Sequence, residues 1–97
     1  MQRQIEYKKG RIMIYGIVAF RSRNQTATMY EVFVANGIAC KIINTPKEAN
    51  VGCGISLRFD LSQLDKAKQL VNRYQGQNYI GFFKLTALSG RYLVRPI

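Results

Sequence analysis

One cysteine with glycine on both sides is the feature of this sequence best suited to chemistry. Cys53 lies between Gly52 and Gly54, directly before an apolar stretch that begins at Ile55. Flanking glycines remove side-chain cover and allow backbone conformations that other residues rarely adopt. A loop of this kind displays its side chain, and successive N–H groups in a glycine-rich turn can form a concave site for an anion. Cys53, Gly52 and Gly54 are therefore candidate site residues.

Three cationic side chains near this turn support a reactive role for the cysteine. Lys41 and Lys47 precede Cys53, and Arg58 follows it in the next apolar stretch. Nearby cations favour the thiolate, which is the nucleophilic form of cysteine, and they also attract anionic partners. The alternative is a tight turn whose middle residue happens to be cysteine, and the spacing alone leaves both interpretations open.

The second cysteine has a simpler interpretation. Ile38, Cys40 and Ile42 share one face of a predicted strand, and a free cysteine in such a position usually packs as a small apolar side chain. The chain has no histidine, which removes Cys-His nucleophile pairs and most zinc arrangements. No metal, cofactor or disulfide framework is expected.

Acid–base catalysis by paired carboxylates is not favoured. The chain has five acidic residues, and none of them form a suggestive pair. Glu48 is the carboxylate nearest to Cys53 in sequence, where a surface or capping role fits it better than a general-base role. The residues thus favour a carrier or binding protein over an enzyme.

Composition describes a small basic protein. The 97 residues suffice for one domain, and 15 basic against five acidic residues give a net charge of +10. The basic residues are scattered, so they predict either a soluble basic surface or a surface for nucleic acid or an acidic protein. No apolar run approaches the roughly 20 residues of a membrane span, and the polar N-terminus lacks a signal-peptide pattern. We expect no membrane association and a cytoplasmic location.

Hydrophobic periodicity predicts the order strand, helix, strand, strand, helix, strand. The first helix is capped by Ser22 or Asn24 and ends at Asn36-Gly37, and the second follows a capping box from Ser62 to Asp65 and ends at Gly76. The predicted strands are 12–20, 38–43, 55–59 and 79–85.

This order indicates an α+β ferredoxin-like βαββαβ sandwich. Two split βαβ units give a four-stranded antiparallel sheet with both helices on one face. We expect a basic N-terminal segment over residues 1–11, one domain over 12–85, and an arm or extra strand over 86–97. Within the strand 55–59, Ile55, Leu57 and Phe59 are predicted to point inward, and Ser56 and Arg58 outward.

Two segments together carry a family resemblance. The stretch from Ile43 to Glu48, INTPKE, followed by CGISLRF from Cys53 to Phe59, resembles the signature of the Se/S carrier-like family of small bacterial proteins. Members of that family show a Thr-Pro-Arg-Glu-like stretch, a serine-rich turn, then Cys-Gly and a short strand with an arginine. The resemblance covers about residues 12–85. It departs from the pattern at residues 50–52, where Asn-Val-Gly replaces the usual serines.

The resemblance implies a sulfur or selenium carrier. Cys53 would accept the atom from a donor protein such as a cysteine desulfurase and hold it as a persulfide or selenosulfide, without a cofactor. The backbone of Gly52 and Gly54 would cradle the atom, and Lys47 and Arg58 would stabilise charge or bind an acidic partner.

Two other functions remain open on the residues alone. One is a small basic module that binds nucleic acid or an acidic protein. The other is an interaction protein that forms a homodimer through its sheet, with Cys53 incidental. Nucleic acid is the weaker of the predicted partners, because the Gly-Phe-Gly-Phe core of the common RNA-binding motif is absent.

Overall fold

A computed structural model describes residues 12–49 and 51–97. The predicted basic segment 1–11 and Asn50 lie outside these described residues. The elements, in chain order, are β1 (Ile12–Ala19), α1 (Arg23–Ala35), β2 (Cys40–Asn44), β3 (Ile55–Asp60), a 3₁₀ turn (Leu61–Gln63), α2 (Leu64–Gln75), β4 (Gly81–Leu88) and β5 (Arg91–Pro96).

The strands form one antiparallel sheet in the order β2-β3-β1-β4-β5. The first four strands are two split βαβ units, which confirms the predicted α+β sandwich of the ferredoxin-like kind, and β5 is the extra strand. It pairs with β4 from Leu88 opposite Arg91 to Phe83 opposite Pro96. The connecting residues Ser89 and Gly90 both have positive φ, +51° and +81°, as a tight two-residue hairpin turn requires.

Helix α1 begins at Ser22, one of the two N-cap residues that the sequence predicts, and the cap is a capping box. Ser22 is the N-cap: its Oγ accepts a hydrogen bond from the Gln25 N–H at 3.1 Å, and Gln25 Oε1 accepts one from the Ser22 N–H at 3.1 Å. These bonds satisfy donors that a helix start otherwise leaves unpaired. The start of α1 is therefore fixed at Arg23, three residues after Phe20, the residue that follows β1.

The predicted capping box of the second helix, from Ser62 to Asp65, is wrong. Ser62 lies in the 3₁₀ turn, and its backbone N–H donates to the Asp60 carboxylate at 2.9 Å. A charged carboxylate is a stronger acceptor than a serine hydroxyl, so the turn is capped at the end of β3 and α2 begins two residues later, at Leu64. The hydrogen bond from the Ser62 N–H lowers the pKa of the Asp60 carboxyl. Gly76 ends α2 as predicted, with φ +59°.

The core lies between the two helices and one face of the sheet. Phe59 is its centre, with edge-to-face contacts to Phe33 and Phe82 at centroid distances of 5.8 and 6.1 Å. Gly16 of β1 lies beneath that ring, because a Cβ there would be 2.5 Å from Phe59. The other buried members of the cluster are Val18, Phe20, Met29, Ile38, Leu57, Ala67, Leu70 and Val71.

The opposite sheet face is also partly covered. Ile17 and Ala19 alternate with the core residues of β1, yet both are fully buried. Ser56, predicted to point outward, does lie on this face, but its side chain is fully buried and not exposed. The reason is the chain that follows β2: the Thr45 and Ser56 hydroxyl oxygens are 2.6 Å apart, so this connection covers the end of the sheet. Within the described residues, neither helix is long and apolar enough to cross a membrane.

Candidate functional site

The connection from β2 to β3 carries Cys53 and is closed at its base. The Thr45 N–H donates to the Gly54 carbonyl at 2.9 Å, and the Thr45 hydroxyl pairs with Ser56 at 2.6 Å. Farther out, the Ala49 N–H donates to the Pro46 carbonyl at 2.9 Å, which forms a turn. These bonds hold the start and the end of the loop together, so the position of Cys53 is set by the sheet.

Cys53 lies where this loop meets the chain between β1 and α1. Its N–H donates to the Phe20 carbonyl at 3.3 Å, and its side chain is half-buried. The free Sγ lies 3.7 Å from the Ile55 carbonyl oxygen, to which it can donate, and 3.8 Å from Thr26 Oγ1. The sulfur is thus held between the start of β3 and the first turn of α1.

Thr26 is a site residue that the sequence did not reveal. It is fully buried on the core side of α1, and its Oγ1 is beside the Cys53 sulfur. The hydroxyl donates to the Ser22 carbonyl at 3.2 Å and can turn to donate to a sulfur anion. The start of a helix also favours nearby negative charge. The hydroxyl beside the Cys53 sulfur therefore comes from α1.

The two glycines beside Cys53 differ in what they permit. Gly52 has φ +76°, and a Cβ there would lie 2.6 Å from the Phe20 carbonyl oxygen. Gly54 has φ +95°, but no atom lies within 4 Å of a Cβ built on it. Gly52 therefore allows close backbone contact, whereas the space that a side chain at Gly54 would occupy is open. Because the Cys53 N–H already binds Phe20, it is not part of the predicted anion cradle, which stays a prediction for Gly52 and Gly54.

The structure separates the two predicted cationic site residues. Lys47 is exposed and lines, with Gly52 and Gly54, a groove of about 290 Å³ beside the loop. Arg58 does not line that groove. It lies on the sheet face opposite the helices, where its guanidinium carbon is 4.3 Å from the centroid of the Tyr15 ring. Lys47 thus lies on the same groove as the two glycines beside Cys53, and Arg58 belongs to a different surface.

Cys40 packs as the sequence indicates. It is half-buried against the core cluster, and its Sγ lies 4.0 Å from the Tyr30 carbonyl oxygen. Burial raises the pKa of the Cys40 thiol, which disfavours the thiolate. Among the described residues, no group of three or more cysteine or acidic side chains could hold a metal ion.

One comparison with known proteins gives a match. A protein-family model described as "Putative Se/S carrier protein-like" matches residues 15–84, which is most of the chain and includes Cys53. Comparison with curated proteins and with solved structures gave no match. The matched range runs from β1 into β4 and contains the whole connection between β2 and β3.

Proposed function

Because the chain belongs to the Se/S carrier protein-like family, we propose that Cys53 carries a sulfur or selenium atom as a persulfide or selenosulfide. The observation that carries this proposal is the position of Cys53: a free, half-buried thiol, 3.8 Å from a buried hydroxyl, between two glycines that line an open groove. A carrier needs a sulfur that another protein can reach and that the fold protects from the rest of the solvent. A half-buried thiol on a loop supports both needs.

Transfer from a donor persulfide is a balanced exchange of one sulfur–sulfur bond for another. The Cys53 thiolate attacks the outer sulfur of a persulfide on the donor cysteine. A bond forms between Cys53 Sγ and that sulfur, the donor sulfur–sulfur bond breaks, and the donor cysteine leaves as a thiolate. The proton lost by Cys53 passes to solvent. No external oxidant or reductant is consumed, which agrees with a carrier that works without a cofactor. A cysteine desulfurase is the donor class that presents such a persulfide.

Three features of the site support an anionic adduct on Cys53. The Thr26 hydroxyl can donate to it, the first turn of α1 contributes partial positive charge, and Lys47 lines the neighbouring groove. The chain directly after Cys53 is also uncrowded, since no atom lies within 4 Å of a Cβ built on Gly54.

Intact mass measurement tests the proposal directly. The protein is incubated with a cysteine desulfurase and cysteine, freed of small molecules and measured without reductant. We expect a gain of one sulfur atom that dithiothreitol removes. Cys53→Ser should show no gain, and Cys40→Ser, the matched control for the second thiol, should behave like the wild type. The absence of an adduct at every donor ratio, or an adduct that persists in Cys53→Ser, would refute the proposal.

A further inference from the structure

The sheet face opposite the helices carries a groove that the proposed carrier chemistry does not use. Its volume is about 440 Å³, within the usual range for ligand sites. Its lining reaches from Ile43 of β2 to Tyr92 of β5, and apolar side chains such as Met13 and Leu85 form most of it. The groove therefore crosses nearly the whole width of the sheet.

Arg58 is the charged side chain among the described residues that line this groove. It is half-buried, and its guanidinium stacks on Tyr15 at 4.3 Å. Within the described part of the chain, that ring contact is the interaction the guanidinium makes, and it has no carboxylate partner. The nearby Asp60 carboxylate accepts instead from the Ser62 N–H.

An arginine in these surroundings is well suited to bind a carboxylate. Stacking fixes the plane of the guanidinium and leaves N–H donors at its edge, where a carboxylate can accept two parallel hydrogen bonds. The apolar walls reduce competition from water, which strengthens such a pair. The net charge of +10 also attracts acidic partners.

The groove fits a peptide better than nucleic acid. Among the described residues, the groove lining holds one cation, Arg58, with Lys41 opposite it on β2, and two adjacent cations are too few to follow a phosphate backbone. Arg58 also covers one face of the Tyr15 ring, where a base would otherwise stack. Tyr92 also lines the groove and is 51% exposed, so an apolar side chain of a peptide can pack against its ring. A carboxylate flanked by apolar side chains would match both the cation and the walls.

We propose that this groove binds an acidic, otherwise apolar, extended segment of a partner protein, with its carboxylate on Arg58. Thr45 and Pro46 line both this groove and the smaller groove beside Gly52 and Gly54. A segment bound along the sheet would therefore end beside the Cys53 loop. The binding site stands on the geometry of the groove and does not require that Cys53 carry sulfur.

A matched pair of peptides tests this site on the full chain. The probe is acetyl-Leu-Phe-Glu-Leu-Phe-amide, its control carries Gln in place of Glu, and binding is followed by amide chemical shifts of the ¹⁵N-labelled protein. We expect saturable shifts at Met13, Tyr15 and Leu85, and affinity at least about tenfold lower for the Gln peptide, because a charge-assisted hydrogen bond is lost.

Variants of the protein give the second arm of the test. Arg58→Met should lower the affinity for the Glu peptide at least about tenfold, and this variant should bind both peptides equally. Lys84→Met removes the same charge from the helix side of the sheet, since Lys84 pairs with Gly16, and should leave the affinity unchanged. The two peptides are compared on the wild type, so the result stands even if Arg58→Met is unstable.

Three outcomes would overturn the proposal. One is the absence of saturable shifts at the lining residues. Another is equal binding of the two peptides by the wild type. The third is a salt-sensitive shift of the same amides by an oligouridine when the peptides cause none, which would assign the face to nucleic acid.

Discussion

Replacing Gly52 with alanine tests whether close backbone contact holds the Cys53 loop in place. An alanine Cβ would lie 2.6 Å from the Phe20 carbonyl oxygen, and that oxygen is backbone, so it cannot turn away as a side chain would. The same oxygen accepts the Cys53 N–H at 3.3 Å. The substitution must therefore move the loop away from β1 or distort the chain at Phe20.

The expected loss of stability has two parts. Alanine at φ +76° costs about 1–2 kcal/mol, because an L side chain is strained in the left-handed region. Separating the loop from Phe20 weakens a hydrogen bond worth about 1 kcal/mol. The free energy of unfolding should fall by about 2–3 kcal/mol, which corresponds to a Tm lower by about 10–20 °C in a domain of this size.

Gly54→Ala is the matched control for the close contact. Gly54 also has positive φ, +95°, but no atom lies within 4 Å of its added Cβ. In Gly54→Ala the free energy of unfolding should therefore fall only by the cost of strain at positive φ, about 1–2 kcal/mol. Urea unfolding of the three proteins measures the difference. If Gly52→Ala is as stable as Gly54→Ala, the contact with Phe20 does not hold the loop, and our account of its anchoring is wrong.

Three further predictions concern the side chains of Thr26, Cys40 and Asp60. Thr26→Val should slow alkylation of Cys53 by iodoacetamide about fivefold at fixed pH, as expected for loss of one hydrogen bond, while Thr26→Ser keeps the rate; equal rates in both variants would remove Thr26 from the site. Because burial raises the pKa of Cys40, its alkylation in Cys53→Ser should be slower in the folded than in the urea-unfolded protein at neutral pH, and should accelerate as pH rises; equal rates would contradict this. The hydrogen bond from the Ser62 N–H lowers the pKa of the Asp60 carboxyl, so the ionised carboxylate stabilises the folded protein. This stabilisation is fully present above the ordinary carboxyl pKa and is lost as pH falls through the lowered pKa. Asp60→Ala should therefore lower the Tm at neutral pH, with a deficit that shrinks in acid; a deficit independent of pH would argue against the cap.

Local sequence signals predicted most of the fold. Ser22, one of two predicted caps, starts α1, and Gly76 ends α2, because these effects depend on neighbours within one helical turn. Residues 86–97 were predicted to form an arm or an extra strand, and the strand lies between Arg91 and Pro96. Such signals are complete within a short stretch of chain and need no knowledge of the partner strand.

The sequence could not predict contacts between distant segments. Ser56 is buried because Thr45 lies over it, and Thr26 reaches Cys53 because the β2–β3 loop meets the start of α1. Arg58 is close to Cys53 in sequence, yet a strand rises about 3.3 Å per residue and alternates its faces. Arg58 therefore lies over Tyr15 and not in the groove beside Cys53.

Pairing of two copies through the sheet stays a prediction.

Because the base of the Cys53 loop is closed, the length of the loop can change without moving the sulfur. Thr45 is tied to Gly54 and Ser56, and Cys53 is tied to Phe20, so every one of these anchors lies at the base. The turn from Pro46 to Ala49 has a backbone hydrogen bond of its own. None of the anchoring bonds lies within this turn. Insertions or exchanged segments in that outer turn can therefore reshape what the loop presents to a partner, while the cysteine keeps its place in the fold.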